Sequence, residues 1–211
     1  MLLSVAVYSM AYGWRYAAGL VGLIFVHECG HYLVARREGL NVGAPVFIPF
    51  VGAWISLKDT RMSAETEADV ALAGPILGTA AAFACFLVGA GTGERLWTAL
   101  AYAGFLLNLF NLIPLRPLDG GRVARIVSSK LWVVGLALLA GLFVWSPSPL
   151  LILVVLAAMP EAMRSFRGQG DQASPGLAPA VRMRYGALYL LLAGGLAVAC
   201  FEVHGVLERA L

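Results

Sequence analysis

Apolar residues do not alternate along this chain; they come in long blocks, with the polar residues gathered between them. A membrane-crossing helix needs about 20 apolar residues. Residues 16–35, 70–90 and 96–115 each supply such a run, and residues 185–207 predict a last span. Residues 131–145 and 150–163 are shorter runs split by SPSP at 146–149, which predict a tight helical hairpin. Residues 1–12 are apolar but short, and predict a partial membrane helix leading into the next. Two stretches break the pattern. GAPVFIPFVGAWISL, residues 43–57, mixes Pro and Gly with aromatic and β-branched residues, so it predicts a short β-hairpin turning at PFVG. Residues 164–182 are rich in Gly, Pro, Ser and Ala and predict an exposed, flexible loop. The expected fold is an all-α polytopic membrane protein with about six transmembrane segments. A small membrane-associated β-hairpin or sheet is expected between the first long span and the next, and residues 1–211 are expected to form one integral membrane domain.

Composition agrees. Of 211 residues 60% are apolar and only 13% charged, against about 25% charged in an ordinary soluble domain. Cys29, Cys85 and Cys200 each lie inside an apolar run. An odd, scattered set predicts buried thiols rather than a disulfide framework or a Cys-based metal site. The start of the chain lacks a basic region typical of a secretory signal. No long basic tract or RNA-binding signature is present, which excludes nucleic acid as an expected partner. The placement of the 15 Lys and Arg residues says more than the net charge of +3. With the expected spans, twelve fall on one side: Arg36, Arg37, Lys58, Arg61, Arg116, Arg122, Arg125, Lys130, Arg164, Arg167, Arg182 and Arg184. Three fall on the other, Arg15, Arg95 and Arg209. Positive residues mark the cytoplasmic side, so the expectation is a multi-pass protein of the cell (inner) membrane with its site near the cytoplasmic face.

The first long block contains FVHECGHYLVARREG, residues 25–39. Ionisable groups at membrane depth cost several kcal/mol, so they need partners and usually have a function. Positions i and i+4 lie on one face of a helix. His27 and His31 can therefore aim both imidazoles at one metal ion, while Glu28 sits about 100° round from His27. Two histidines holding zinc, with the glutamate as general base on a water, is the chemistry of an HExxH helix. The bland alternative is a pair of polar histidines bridging helices. A catalytic zinc site takes three protein ligands and keeps an open position. Asp119, in NLIPLRPLDGGR at residues 111–122, is the best-placed third ligand, because a helix broken by Pro114 and Pro117 at membrane depth usually lines a cavity. Glu65, Glu67 and Asp69 are its rivals; solvation and a favourable helix N-terminus explain them as well.

HECGH together with NLIPLRPLDGG, separated by a span and a hairpin, resembles the site-2 protease family of intramembrane zinc metalloproteases (peptidase family M50). The resemblance covers residues 15–130, the expected catalytic core, and leaves residues 131–211 as additional transmembrane helices. It implies one zinc ion per chain held by His27, His31 and Asp119, with Glu28 as general base. It also implies a supporting role for Asn111 near the substrate or the oxyanion. The residues between the motifs resemble the family's membrane-associated sheet, whose edge binds extended substrate; Ala53, Trp54, Ile55 and Ser56 are the expected contacts. Gly74-Pro75 matches a small-residue feature of the next span. The loops are too short for the regulatory modules that the family often carries.

The expected activity is zinc-dependent hydrolysis of peptide bonds in or near transmembrane segments of membrane proteins, with the lipid bilayer as surroundings. A membrane helix must unwind before it is cut, and an exposed strand edge would pair with the unwound backbone. The competing expectation is a membrane metal-ion transporter or sensor that uses the same His/Asp cluster without hydrolysis. Glu202 and His204, near the end of the last span, are expected to be interfacial polar residues.

Overall fold

A computed structural model of the chain describes residues 1–43, 46–48, 52–54, 62–128, 130–166 and 177–209. In chain order the helices are α1 (Leu2–Tyr12), α2 (Trp14–Arg37), α3 (Ala64–Thr92), α4 (Arg95–Asn111), α5 (Asp119–Val127), α6 (Leu131–Trp145), α7 (Pro149–Phe166) and α8 (Pro179–Arg209). Between α2 and α3 lie two extended stretches, β1 (Val46–Ile48) and β2 (Gly52–Trp54).

Local chemistry sets the boundaries. Gly13, at φ +79°, separates α1 from α2. Ser63 caps α3, its Oγ accepting the N–H of Thr66 at 3.0 Å. Glu65 and Glu67 follow in that first turn, where the helix dipole favours negative charge. α2 ends on Arg36 and Arg37, the favourable charge for a C-terminus. α4 stops at Asn111 because Pro114 and Pro117 cannot continue a hydrogen-bonded helix.

Among the described residues three helices are long and apolar enough to cross a membrane: α2 with 24 residues, α3 with 29 and α8 with 31. This corrects the expectation of about six transmembrane segments. α4 has only 17 residues and α6 only 15. At 1.5 Å per residue they reach about 25 Å and about 22 Å, short of a hydrocarbon core about 30 Å thick. The apolar blocks overstate helix length because prolines and the SPSP turn cut them. In α7 the apolar run ends at Pro160, before Glu161 and Arg164. The residues 164–182 expected as loop also shrink, since α7 runs to Phe166 and α8 starts at Pro179.

The expected membrane-associated sheet is corrected as well. Among the described residues the fold is helical apart from β1 and β2, three residues each. They pair antiparallel, with Val46 opposite Trp54, Phe47 opposite Ala53 and Ile48 opposite Gly52. A lone pair of strands is marginal by itself, because a sheet needs three or more strands or a packed face. Ala53 and Trp54 belong to β2, whereas Ile55 and Ser56 lie outside the described residues.

The chain divides into two units. The first comprises Met1–Arg61, Ala73–Phe110 and Leu192–Leu211. Its core contains Ala17, Val21 and Leu23 of α2, Ala82 of α3, and Leu100, Ala101 and Phe105 of α4, all buried. Gly30 of α2 lies directly on the backbone of Ala73 and Gly74, so that a Cβ at Gly30 would collide with the Ala73 carbonyl. The second unit comprises Met62–Leu72 and Asn111–Leu191. Its core contains Leu112, Leu115, Val123, Ile126, Leu139 and Tyr185.

Close approach of α2 to α3 yields a prediction. Gly30→Val should destabilise the protein by about 1–3 kcal/mol through overpacking, seen as a lower melting temperature in detergent. An unchanged melting temperature would show that the two helices separate without cost.

Candidate functional site

In the first unit the site is built on α2. One helical turn brings His27 and His31 edge to face, with ring centroids 4.7 Å apart and planes at 82°. Their Nε2 atoms are 3.1 Å apart. Two nitrogens bound to one tetrahedral zinc at about 2.0–2.1 Å would be about 3.3 Å apart. The pair therefore fits a shared metal ion, and the donor set is the borderline-soft nitrogen that zinc takes. His27 is 3% exposed; His31 and Glu28 are half-buried.

Neighbouring helices hold the pair. Oδ1 of Asn108, on α4, lies 2.8 Å from Nδ1 of His27. Asn108 Nδ2 in turn donates to the Gly104 carbonyl at 2.7 Å. α3 presents small residues to these groups: a Cβ on Gly74 would overlap the His31 ring, and one on Gly78 would overlap the Asn108 carboxamide. Gly74, singled out from the sequence as a small-residue feature, thus has a steric reason. Asn108 itself was missed. The available signal was an Asn inside the apolar run AYAGFLLNLFNL, where a carboxamide needs partners.

The second unit contains Asp119 and Asn111. Asp119 is the first residue of α5 and only 8% exposed. A carboxylate there is favoured by the helix N-terminus. Gly120 lets α5 begin against its own connecting segment, because a Cβ there would collide with the Leu112 carbonyl. That carbonyl also accepts the Tyr189 hydroxyl of α8, which satisfies backbone freed by the break. Asn111 ends α4 and is half-buried.

Two of the three rivals to Asp119 have structural duties in this second unit. Glu67 accepts from Arg116 at 2.5 Å and pairs with Arg125 at 3.5 Å. These arginines stand before and after Asp119 in the chain, so Glu67 braces the segment that carries it. Asp69 accepts the Tyr185 hydroxyl at 2.8 Å. In the first unit, His204 stacks on Tyr102 and pairs with Glu208 at 3.2 Å, with both side chains of that pair exposed. Such exposed pairs contribute little.

Comparison with known proteins gives a consistent picture. The family model described as Peptidase family M50 matches residues 15–94 and 90–135, more than half of the chain. A zinc metalloprotease of Methanocaldococcus jannaschii is 30% identical over 112 residues, which cover 51% of this chain and 32% of that protein. Rip3 of Mycobacterium tuberculosis, whose name marks it as a candidate zinc metalloprotease, is 34% identical over 124 residues, 53% of this chain and 31% of that protein. EGY1 of Arabidopsis thaliana, a chloroplast protein with a similar designation, is 35% identical over 78 residues, 35% of this chain and 14% of its own length. The chain spans about a third of the length of the first two of these relatives.

The Glu67 brace is testable. Glu67→Gln should cost about 2 kcal/mol, the scale of a charge-assisted hydrogen bond, and lower the melting temperature in detergent. Glu65→Gln serves as the control and should change it far less. Equal melting temperatures for the two variants would remove the brace.

Proposed function

The chain belongs to peptidase family M50, and from that premise we propose that it is a zinc-dependent intramembrane endopeptidase acting on transmembrane segments of membrane proteins. One observation carries the reading: the two Nε2 atoms 3.1 Å apart on an apolar helix long enough to span a membrane. That separation also suits an N–H···N hydrogen bond, and the family match over both motifs favours the metal.

His27 and His31 would hold the metal, with Asp119 as third ligand. Support for Asp119 comes from its burial and from the family match, which includes both the HECGH and the LDGG segments. Zinc, when bound, supplies a Lewis acid and lowers the pKa of a water molecule toward about 7. Glu28 follows His27 on the same helix and is half-buried. It would take the proton of the attacking water and return it to the leaving amine. The Asn111 carboxamide would donate to the substrate carbonyl as negative charge develops there, a role that needs only a fixed N–H donor. The chain is a membrane protein. Arg36 and Arg37, which end α2, support a location in the cell membrane with that end of the helix toward the cytoplasmic face.

Glu28→Gln should retain zinc and lose cleavage of membrane-helix substrates by at least about 100-fold, the usual range for a general base. Asp119→Ala and His27→Ala should lose zinc as well. Metal analysis and cleavage on the same purified samples check this; near-normal cleavage by Glu28→Gln would refute the base. For orientation, a reporter inserted after Glu38, beyond the arginines that end α2, should read as cytoplasmic, and the opposite reading would reverse the orientation of that helix.

A further inference from the structure

We propose that Asn108 is a positioning residue that fixes the hydrogen of His27 on Nδ1 and so readies Nε2 for the metal ion. The inference rests on the zinc reading above and extends it to a residue outside both sequence motifs.

Asn108 Nδ2 lies 2.7 Å from the Gly104 carbonyl, one turn earlier in α4. A carbonyl only accepts, so the NH₂ end must face it; the flipped amide would set two oxygens against each other. Oδ1 is thereby turned toward His27 Nδ1, 2.8 Å away. An amide oxygen also only accepts, so Nδ1 must donate. A neutral imidazole carries one N–H, and with that hydrogen on Nδ1 the lone pair is left on Nε2. Nε2 is the atom that stands 3.1 Å from Nε2 of His31. Ligating histidines are generally oriented through their other nitrogen in this way.

Burial makes the arrangement decisive. Asn108 is 1% exposed and His27 3%. Deprived of its partner, the Nδ1–H would lose a hydrogen bond in a site closed to bulk water, and the tautomer would no longer be fixed. Gly78 completes the device, because a Cβ there would strike Oδ1 of the carboxamide. A glycine on α3 thus acts on the metal site through Asn108, with no contact to the metal ion.

The test uses the purified full chain in detergent, stripped of metal and titrated with zinc against a chromophoric chelator. Asn108→Leu should bind zinc about 10–100-fold more weakly, the usual effect of losing such a partner. Asn108→Asp, with one oxygen protonated toward the Gly104 carbonyl, keeps both that contact and an acceptor for Nδ1–H and should stay within a few-fold of the parent, a rescue that a purely structural role would not produce. Gly78→Ala should also weaken zinc binding, yet add nothing in an Asn108→Ala background, because both changes break one link. In the metal-free chain, ¹⁵N shifts of His27 read the tautomer directly: Nδ1–H in the parent, a mixture in Asn108→Leu. Parent-like zinc binding by Asn108→Leu and Gly78→Ala, or Nε2–H in the metal-free parent, overturns the proposal. Nδ1–H in a parent that binds no zinc overturns the zinc reading and leaves the role of Asn108 in setting the tautomer standing. If Asn108→Leu fails to fold, Asn108→Asp and Gly78→Ala decide it.

Discussion

Two imidazoles meeting edge to face inside an apolar helix are the constraint on which the first unit depends. Neither ring can be buried without a partner for each nitrogen, since an unpaired polar group in a dry site costs on the order of 1–3 kcal/mol. The Nδ1 of His27 is answered by a carboxamide on α4, and the two Nε2 atoms stand 3.1 Å apart. Small residues on α3 then become obligatory. Gly74 and Gly78 lie where any side chain would displace His31 or Asn108. Helix packing and site chemistry are one problem here, solved by letting α3 approach without side chains.

The second unit solves a different problem: how to stop one helix and start the next. Pro114 and Pro117 end α4 and leave carbonyls without helical donors. Tyr189 supplies a hydroxyl to Leu112, and Gly120 lets the next helix start against that same residue. Glu67 then ties Arg116 and Arg125 on either side of Asp119. A carboxylate on a short helix start is thus braced from several directions. Ligand groups lose their use when their supporting contacts are loose, because a misplacement near 1 Å is already costly.

The sequence made the histidine pair legible because i, i+4 spacing is local and helical periodicity alone places both rings on one face. Its apolar setting also marked the helix as a candidate span, and α2 is long and apolar enough to cross a membrane. What remained hidden was set by tertiary partners. Asn108 meets a histidine 81 residues away, and nothing in FLLNLFN distinguishes it from the Asn111 that the family motif singles out. Glu67 looked like one of three equivalent acids until its arginines, 49 and 58 residues downstream, were in place. Span number was overread because hydropathy counts apolar residues and not where prolines stop the helix. The run at 43–57 was overread in the opposite sense. Its residues favour extended backbone, but among the described residues they form one antiparallel pair of three-residue strands and nothing larger.

The central claim is that His27 and His31 share one metal ion. X-ray absorption at the zinc edge of the reconstituted protein reads this most directly. The account predicts nitrogen and oxygen donors at about 2.0–2.1 Å, with the outer-shell scattering of two imidazoles, falling to one imidazole in His31→Ala. Sulfur at about 2.3 Å, or a spectrum unchanged by that substitution, would contradict it.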